Sequence, residues 1–334
     1  MKGLDAIFCR VASVLWSGVN AAARIWRPRL LGAPAKLPAG IVISVGNLQA
    51  GGAGKTPLVA RLARECLAEG RTVVILCRGY GGVLESSGGV IAPADGPVDP
   101  AEFGDEAALL HGLVPGAWIG VGADRVAGCD RVVKRAGARP DVVILDDGFQ
   151  NFRVARDIDI LVVTSHTPWT QVHRDFLWNA SRADLVVWTK GEALPPVASH
   201  VRSEMLRAKI ALDPPDPVRQ DRGHWLVTGV GDSEEAFRAF QKAGFRIERR
   251  TTFRDHARYS VDWVEDFLKG AGESGLRVVT TGKDAVKWKS LGISPLRFDE
   301  REPILRFERD DEERLWRTHL LSWLGVSPAL DNAR

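Results

Sequence analysis

A chain of 334 residues exceeds the usual single-domain size and points to two units of roughly 100 to 200 residues each. With 45% hydrophobic and 26% charged residues, the composition is that of a soluble globular protein and excludes both a disordered chain and a polytopic membrane protein. A net charge of +3 is too small to argue for a nucleic-acid partner, and there is no basic stripe interleaved with aromatics, zinc finger or RNA-binding signature.

The first predicted element is a helix over residues 1–28. Leu4, Ile7, Phe8, Val11, Val14, Leu15, Val19, Ala22, Ile25 and Trp26 keep a helical apolar stripe, among Lys2, Arg10, Arg24, Arg27 and Arg29 and the single acid Asp5. The uncharged stretch 11–23 is too short to span a bilayer but suits a membrane interface. A helix docked on its own domain is the other reading. A secretory signal is a third, opposed by Asp5 and Arg10 inside the would-be apolar region.

After a Pro- and Gly-rich linker at 28–38, strand-like and helix-like segments alternate to about residue 190. That order is the signature of an α/β domain with a mainly parallel sheet. Strands are expected at 41–45, 72–77, 118–121, 142–145, 158–163 and 185–188, with helices at 56–69, 105–112, 123–135 and in part of 178–182. Residues 81–92 read as a hairpin or excursion at the sheet edge. Prolines at 195–196 and 214–217 bracket a weakly patterned basic stretch, taken as the passage to a second α/β unit. In that unit strands are expected at 225–228 and 278–281, with helices at 233–243 and 312–324. The domains are thus placed at 1–28, 29–215 and 216–330.

The densest signal is Val45-Gly46-Asn47-Leu48-Gln49-Ala50-Gly51-Gly52-Ala53-Gly54-Lys55-Thr56-Pro57, a phosphate loop that leaves a strand and opens a helix. Small residues at Gly51, Gly52, Ala53 and Gly54 let backbone N–H groups close around phosphate oxygens. Lys55 can reach the β- and γ-phosphates and Thr56 can bind Mg²⁺, so the chain is expected to use ATP and Mg²⁺. One departure is Gln49, where the standard pattern has glycine, so the bend must come from Gly46, Gly51 and Gly52.

Four further segments carry candidate chemistry. The run Val142 through Leu145 ends in Asp146-Asp147-Gly148-Phe149-Gln150, hard oxygen ligands where a Mg²⁺-handling strand presents them, although an Asp-Asp-Gly turn would read the same. Gly104-Asp105-Glu106 places an acid at a helix start, either an N-cap or a catalytic base. Cys77-Arg78-Gly79-Tyr80 follows a strand, where Arg78 can neutralise phosphate charge or merely turn the chain. In Phe253-Arg254-Asp255-His256, His256 is either structural or an acid–base group in an interdomain cleft. The four cysteines, Cys9, Cys66, Cys77 and Cys129, have neither metal-ligand nor disulfide spacing and suit a reduced compartment.

Together these residues resemble the tetraacyldisaccharide 4'-kinase family, lipid A pathway enzymes that phosphorylate the 4'-hydroxyl of a glucosamine disaccharide 1-phosphate with ATP. The resemblance rests on the phosphate loop, Cys77-Arg78-Gly79-Tyr80, Gly104-Asp105-Glu106, Gly122-Ala123-Asp124-Arg125-Val126, the run from Asp146 to Gln150, Ala155-Arg156-Asp157, the run from Phe253 to His256, and Thr281-Gly282-Lys283-Asp284-Ala285-Val286-Lys287. It implies a phosphate-loop kinase domain with a smaller α/β domain. Lys55 and Thr56 would hold phosphate and Mg²⁺, with Asp146, Asp147 and Gln150 in the metal element. Asp105 would be the base, paired with His256. Arg125 and Arg78 would stabilise charge on the γ-phosphoryl group, and Tyr80 would line the site.

The sequence departs from the family's habit at Asn151, where many relatives carry His, at Gly282, where they carry Glu, and at Cys77, more often Ser. The resemblance also implies a lipid A disaccharide 1-phosphate as substrate, a membrane surface as partner and a monomer. Its place would be the cytoplasmic face of a bacterial inner membrane, held peripherally or by the N-terminal helix. The competing class is a phosphate-loop switch or chaperone ATPase acting on a protein partner, which leaves Asp105 and His256 unexplained. A guanine-nucleotide switch lacks its Asn-Lys-x-Asp element, for which Thr189-Lys190-Gly191-Glu192 is a poor substitute.

Overall fold

The computed structural model describes residues 2–216 and 222–326. The end of the expected 214–217 linker and the last residues of the expected 216–330 unit lie outside them, as do the side chains of Lys2, Leu4 and Arg27.

The chain opens with helix α1 (Lys2–Leu31) and strand β1 (Ile41–Asn47), followed by α2 (Lys55–Ala68) and β2 (Val73–Cys77). The edge excursion expected at 81–92 is a single helical turn, α3 (Leu84–Ser87), and a short strand, β3 (Gly89–Ile91). Next come α4 (Pro100–Phe103), α5 (Asp105–Leu113), β4 (Trp118–Val121), α6 (Arg125–Ala136), β5 (Val142–Asp146) and β6 (Ile158–Thr164). A 3-10 segment, Leu177–Arg182, replaces the α-helix expected near 178 and leads to β7 (Leu185–Lys190) and β8 (Glu204–Ala211).

These strands form a nine-stranded sheet in the order β13-β8-β7-β6-β1-β5-β2-β4-β3, where β13 is Ile304–Phe307. Only β3 and β13, at its two edges, run antiparallel to their neighbours. The central strands are buried on both faces and read as unbroken apolar runs such as Val142-Val143-Ile144-Leu145. Helices α2 and α5 cover one face and α6 the other. Each fully buried Leu, Ile or Val in these layers stabilises the fold by about 1.5–3 kcal/mol.

A smaller all-parallel sheet follows, in the order β10-β9-β11-β12, from β9 (His224–Thr228), β10 (Ile247–Thr252), β11 (Arg277–Thr281) and β12 (Asp299–Arg301). Its helices are α7 (Ser233–Lys242), α8 (Val261–Glu273) and α9 (Gly282–Ser290). Trp288, Phe298, Val264 and Val278 form its core.

Two expectations need correction. The basic stretch between the prolines contains β8, whose alternation is muted because one buried position is only Ala208 and the outward ones are Arg207 and Lys209. The closing helix, α10 (Asp310–Trp323), belongs to the large sheet and not to the second unit. Its Trp316 and Leu320 join the core beside α2, and the Trp316 indole donates to Glu65 Oε2 at 2.5 Å. Strand β13 pairs with β8, so the chain leaves the large sheet for the small one and then returns. The return buries Leu305, Phe307 and Trp316 in the core of the large sheet.

Helix α1 is amphipathic with its polar face inward. Ser13 and Ser17 are buried, Ser13 Oγ accepts from the His173 N–H at 2.8 Å, Asn20 donates to the Arg174 carbonyl at 2.5 Å, and Arg24 pairs with Asp175 at 2.6 Å. The opposite face leaves Phe8, Val11, Val14, Leu15, Trp16, Val19, Ile25 and Trp26 exposed. The span Asp5–Trp26, 22 residues at mean hydropathy 1.4, is long and apolar enough to cross a membrane by length and composition. That exceeds the uncharged 11–23 window read from sequence, because the charged residues at its ends lie within the helix.

Candidate active site

Parallel pairing sets the site. Val45 is the register partner of Asp146, so the phosphate loop and the acid pair leave the same carboxyl edge of the sheet. Gly54, the N-cap of α2, has φ 88°, and a Cβ there would lie 2.0 Å from Ile210 Cδ1. Only glycine takes that backbone and that gap, which leaves Lys55 and Thr56 as the first two helical residues. Gln49 supplies what the missing glycine does not: it is buried and donates to Thr164 Oγ1 at 2.8 Å and to the His166 carbonyl at 3.1 Å, tying the loop to the end of β6.

Lys55 Nζ lies 3.2 Å from Asn47 Oδ1 and 3.4 Å from Asp147 Oδ1. Asp147 takes a left-handed φ of 56° and is gripped by Arg174 through two hydrogen bonds of 2.7 and 2.8 Å; Arg174 also donates to Asn47. Burial alone would raise the Asp147 pKa, but the Arg174 hydrogen bonds and the Lys55 charge outweigh it and hold the carboxyl below the usual range. Asp146 behaves oppositely. Burial, then the charge of Glu106, push it up to about 7 against the opposing pull of Lys55. Its Oδ1 is buried and has no hydrogen-bond partner.

An unpartnered buried carboxylate oxygen, next to a second acid and within reach of the Lys55 charge, fits a hard divalent cation. Among the described residues no cluster of three His, Cys, Asp or Glu could hold a metal. A Mg²⁺ here would draw its other ligands from hydroxyl, phosphate and water, which is how Mg²⁺ is usually held.

Asp105 is the first residue of α5 and is buried; Gly104 is the N-cap, so the capping role left open for Asp105 is not the one it plays. Gly104 has φ 89°, and a Cβ on it would fall 2.8 to 3.0 Å from Gly79 backbone atoms. This close crossing sets the turn after β2 against the start of α5. From the smaller lobe, His256 Nδ1 comes to 3.0 Å from Asp105 Oδ2, and Lys287 Nζ reaches the same oxygen at 3.0 Å. His256 and Asp147 are, among the described residues, the two non-glycine residues with positive φ. Such backbone costs about 1–3 kcal/mol and gathers at functional sites.

The exposed Tyr80 ring sits 6.3 Å from the His256 ring. Arg78 is paired with Glu85 at 2.6 Å. Arg125 is buried and donates to the Gly122 carbonyl at 2.6 Å and the Asp146 carbonyl at 3.5 Å, bracing the end of β5; burial lowers its pKa. Gln150 donates to the Asn47 carbonyl at 2.9 Å, so its amide joins the acid turn to the phosphate loop. Burial pushes the thiols of Cys66 and Cys77 up to about 12, in keeping with unreactive small side chains.

Sequence reasoning missed Asn47, Arg174 and Lys287. Asn47 and Lys287 lie in runs recognised as motifs, whereas Arg174, in Val172-His173-Arg174-Asp175, carries no local signal.

The family described as Tetraacyldisaccharide-1-P 4'-kinase matches residues 6–306. A protein named tetraacyldisaccharide 4'-kinase from Geobacter sulfurreducens is 37% identical over 264 residues, 74% of this chain and 74% of its own length. Another of that name, from Rhodopseudomonas palustris, is 34% identical over 300 residues, 83% of this chain and 80% of its length. Among solved structures, the "apo" form of LpxK from Aquifex aeolicus in complex with ATP superposes with a TM-score of 0.69 at 23% identity, covering 92% of this chain and 96% of that one. That likeness speaks for the fold. The match across residues 6–306, together with relatives more than 30% identical over nearly three quarters of the chain, places this protein in the tetraacyldisaccharide-1-P 4'-kinase family.

Proposed function

We propose that the protein transfers the γ-phosphoryl group of ATP to the 4'-hydroxyl of a tetraacyldisaccharide 1-phosphate. The observation that carries this reading is the Asp105 carboxylate, held 3.0 Å from His256 across the two lobes. The charge of Glu106, the next residue, is among the causes that raise the Asp146 pKa, which supports a base close to the phosphate site. A nucleotide switch would have no use for a carboxylate so held.

In this reading the Gly51–Gly54 backbone and Lys55 bind the phosphates, with Arg78 and Tyr80 at the rim. Mg²⁺ held by Thr56, Asp146 and Asp147, directly or through water, would neutralise phosphate charge. Asp105 takes the proton of the acceptor hydroxyl. That oxygen forms the new bond to the γ-phosphorus while the bond to the bridging oxygen breaks, and its electron pair leaves on ADP. His256 orients the carboxylate, and Arg125 and Gln150 keep the acid turn against the loop. Catalysis of this kind is mainly positioning and electrostatics.

The exposed apolar face of α1 would rest on or enter the cytoplasmic leaflet that holds the acylated substrate. The test incubates purified protein with ATP, Mg²⁺ and the disaccharide in mixed micelles. Mass spectrometry should find the 4'-phosphorylated product. ATP hydrolysis without that product would overturn the reading.

A further inference from the structure

The run Thr281 to Lys287 leads from the end of β11 into α9. Its last residue is a buried lysine whose side chain points between two carboxylates: Nζ is 3.0 Å from Asp105 Oδ2 and 3.9 Å from Asp284 Oδ1. A lysine ammonium is costly to bury unless paired. Here the pairing crosses from α9 of the small lobe to α5 of the large one, and Val286 Cγ1 would stand 3.9 Å from a Cβ on Gly112 along the same contact.

Asp284 is a fixed post. It is fully buried and accepts the Gly229 N–H at 2.9 Å, the Tyr259 hydroxyl at 2.9 Å and the Thr281 hydroxyl at 2.8 Å. Those donors are neutral, so Lys287, three residues on and on the same helical face, is the cation that meets its charge. The lysine is thereby held from behind, its buried ammonium in ion-pair contact with Asp105 Oδ2 at 3.0 Å and making no hydrogen bond of its own.

Both cross-lobe contacts fall on one oxygen. His256 and Lys287 each meet Oδ2, and among the described residues no hydrogen bond or ion pair reaches Oδ1. We propose that Lys287 is a positioning residue for phosphoryl transfer: it locks Asp105 through Oδ2, so that Oδ1 is left to accept the proton of the acceptor hydroxyl. His256 has a partly exposed side chain and supplies the hydrogen bond to Oδ2, while the buried Lys287 supplies the charge. This proposal rests on the kinase reading above.

The test measures kcat and both KM values for full-length wild type, Lys287→Met, Asp105→Asn and the double variant, with thermal melting as the check on folding. Lys287→Met should lower kcat by about a hundredfold, the scale of a misplaced base, and leave KM for ATP within about threefold. In the Asp105→Asn background the same substitution should change kcat by less than about threefold, because its effect passes through the carboxylate. Lys287→Arg should recover at least about tenfold over Lys287→Met, since the charge returns. If Lys287→Met does not melt as a folded protein, Lys287→Gln takes its place in the same cycle.

An active wild type with unaltered kcat in the folded variant would overturn this proposal alone, as would equal losses in both backgrounds. A wild type that forms no 4'-phosphorylated product would overturn the kinase reading and this proposal with it.

Discussion

Arg174 holds Asp147 with two hydrogen bonds of 2.7 and 2.8 Å while Lys55 approaches the same carboxylate at 3.4 Å. One acid thus ties the phosphate-loop lysine to a segment that helix α1 braces from the other side, through Asn20 on the Arg174 carbonyl and Arg24 on Asp175. The polar face of a helix, the loop after β6 and the phosphate site form one connected set of hydrogen bonds.

Arg174→Ala should therefore leave Asp147 to Lys55 alone and draw the lysine away from nucleotide. Hydrogen bonds to charged groups are worth about 1.5–3 kcal/mol, so kcat/KM for ATP should fall by about 10- to 100-fold. Arg174→Lys should recover only part of this, because an ammonium cannot reproduce the fork. Steady-state kinetics decide it, and an unchanged kcat/KM in Arg174→Ala would remove the clamp from the account.

Asp105→Asn and His256→Ala should lower turnover by about 10²- to 10⁴-fold and leave ATP binding within a few-fold, since neither touches the phosphate loop. Calorimetric titration of ATP beside the kinase assay checks both halves. Loss of ATP binding in either variant would contradict the assigned roles.

Gly54→Ala should abolish nucleotide binding. Its Cβ would sit 2.0 Å from Ile210 Cδ1, and the left-handed backbone at φ 88° adds strain. Ile210→Ala in the same chain should relieve the clash but not the backbone strain, so only part of the binding should return.

Glu302 gives a pH dependence with a definite sign. Burial raises its carboxyl from 4.5 to about 7, against the Gly282 N–H bond and the Lys283 charge. A folded value above the unfolded one means that the protonated group favours the fold: its contribution is full below about pH 4.5 and is lost as pH rises through about 7. Glu302→Gln should melt higher than wild type at pH 8, with the difference vanishing near pH 4.5. A pH-independent difference would exclude this linkage.

Leu15→Lys with Val19→Lys should weaken vesicle binding and leave the melting temperature unchanged, since both side chains are exposed. Each buried apolar side chain contributes about 1.5–3 kcal/mol to a membrane contact. Deleting residues 1–27 is a poorer test, because it also strips Arg24 from Asp175 and Asn179. Co-sedimentation with anionic vesicles reads the outcome; full retention of binding would exclude the helix face as the contact.

Sequence alone determined the phosphate loop, the acid strand, the alternating order of the large sheet and the Asp105 and His256 candidates. Each is written in a local run: period-two or unbroken apolar segments for strands, small residues before Gly-Lys-Thr, and paired acids after Leu145. Tertiary structure decided the rest. Strand β8 was hidden by small and charged residues on its alternating faces. Helix α10 joined the large sheet because that is where its apolar face found cover. Asp105 proved to be a carboxylate met by the smaller lobe and not a cap, Gln49 an anchor of the loop, and Arg174 and Lys287 neighbours of the candidate residues Asp147 and Asp105. Their partners lie up to 182 residues away along the chain, as for Asp105 and Lys287, and a contact between distant residues leaves no periodic trace in sequence. It exists only once packing has fixed both ends.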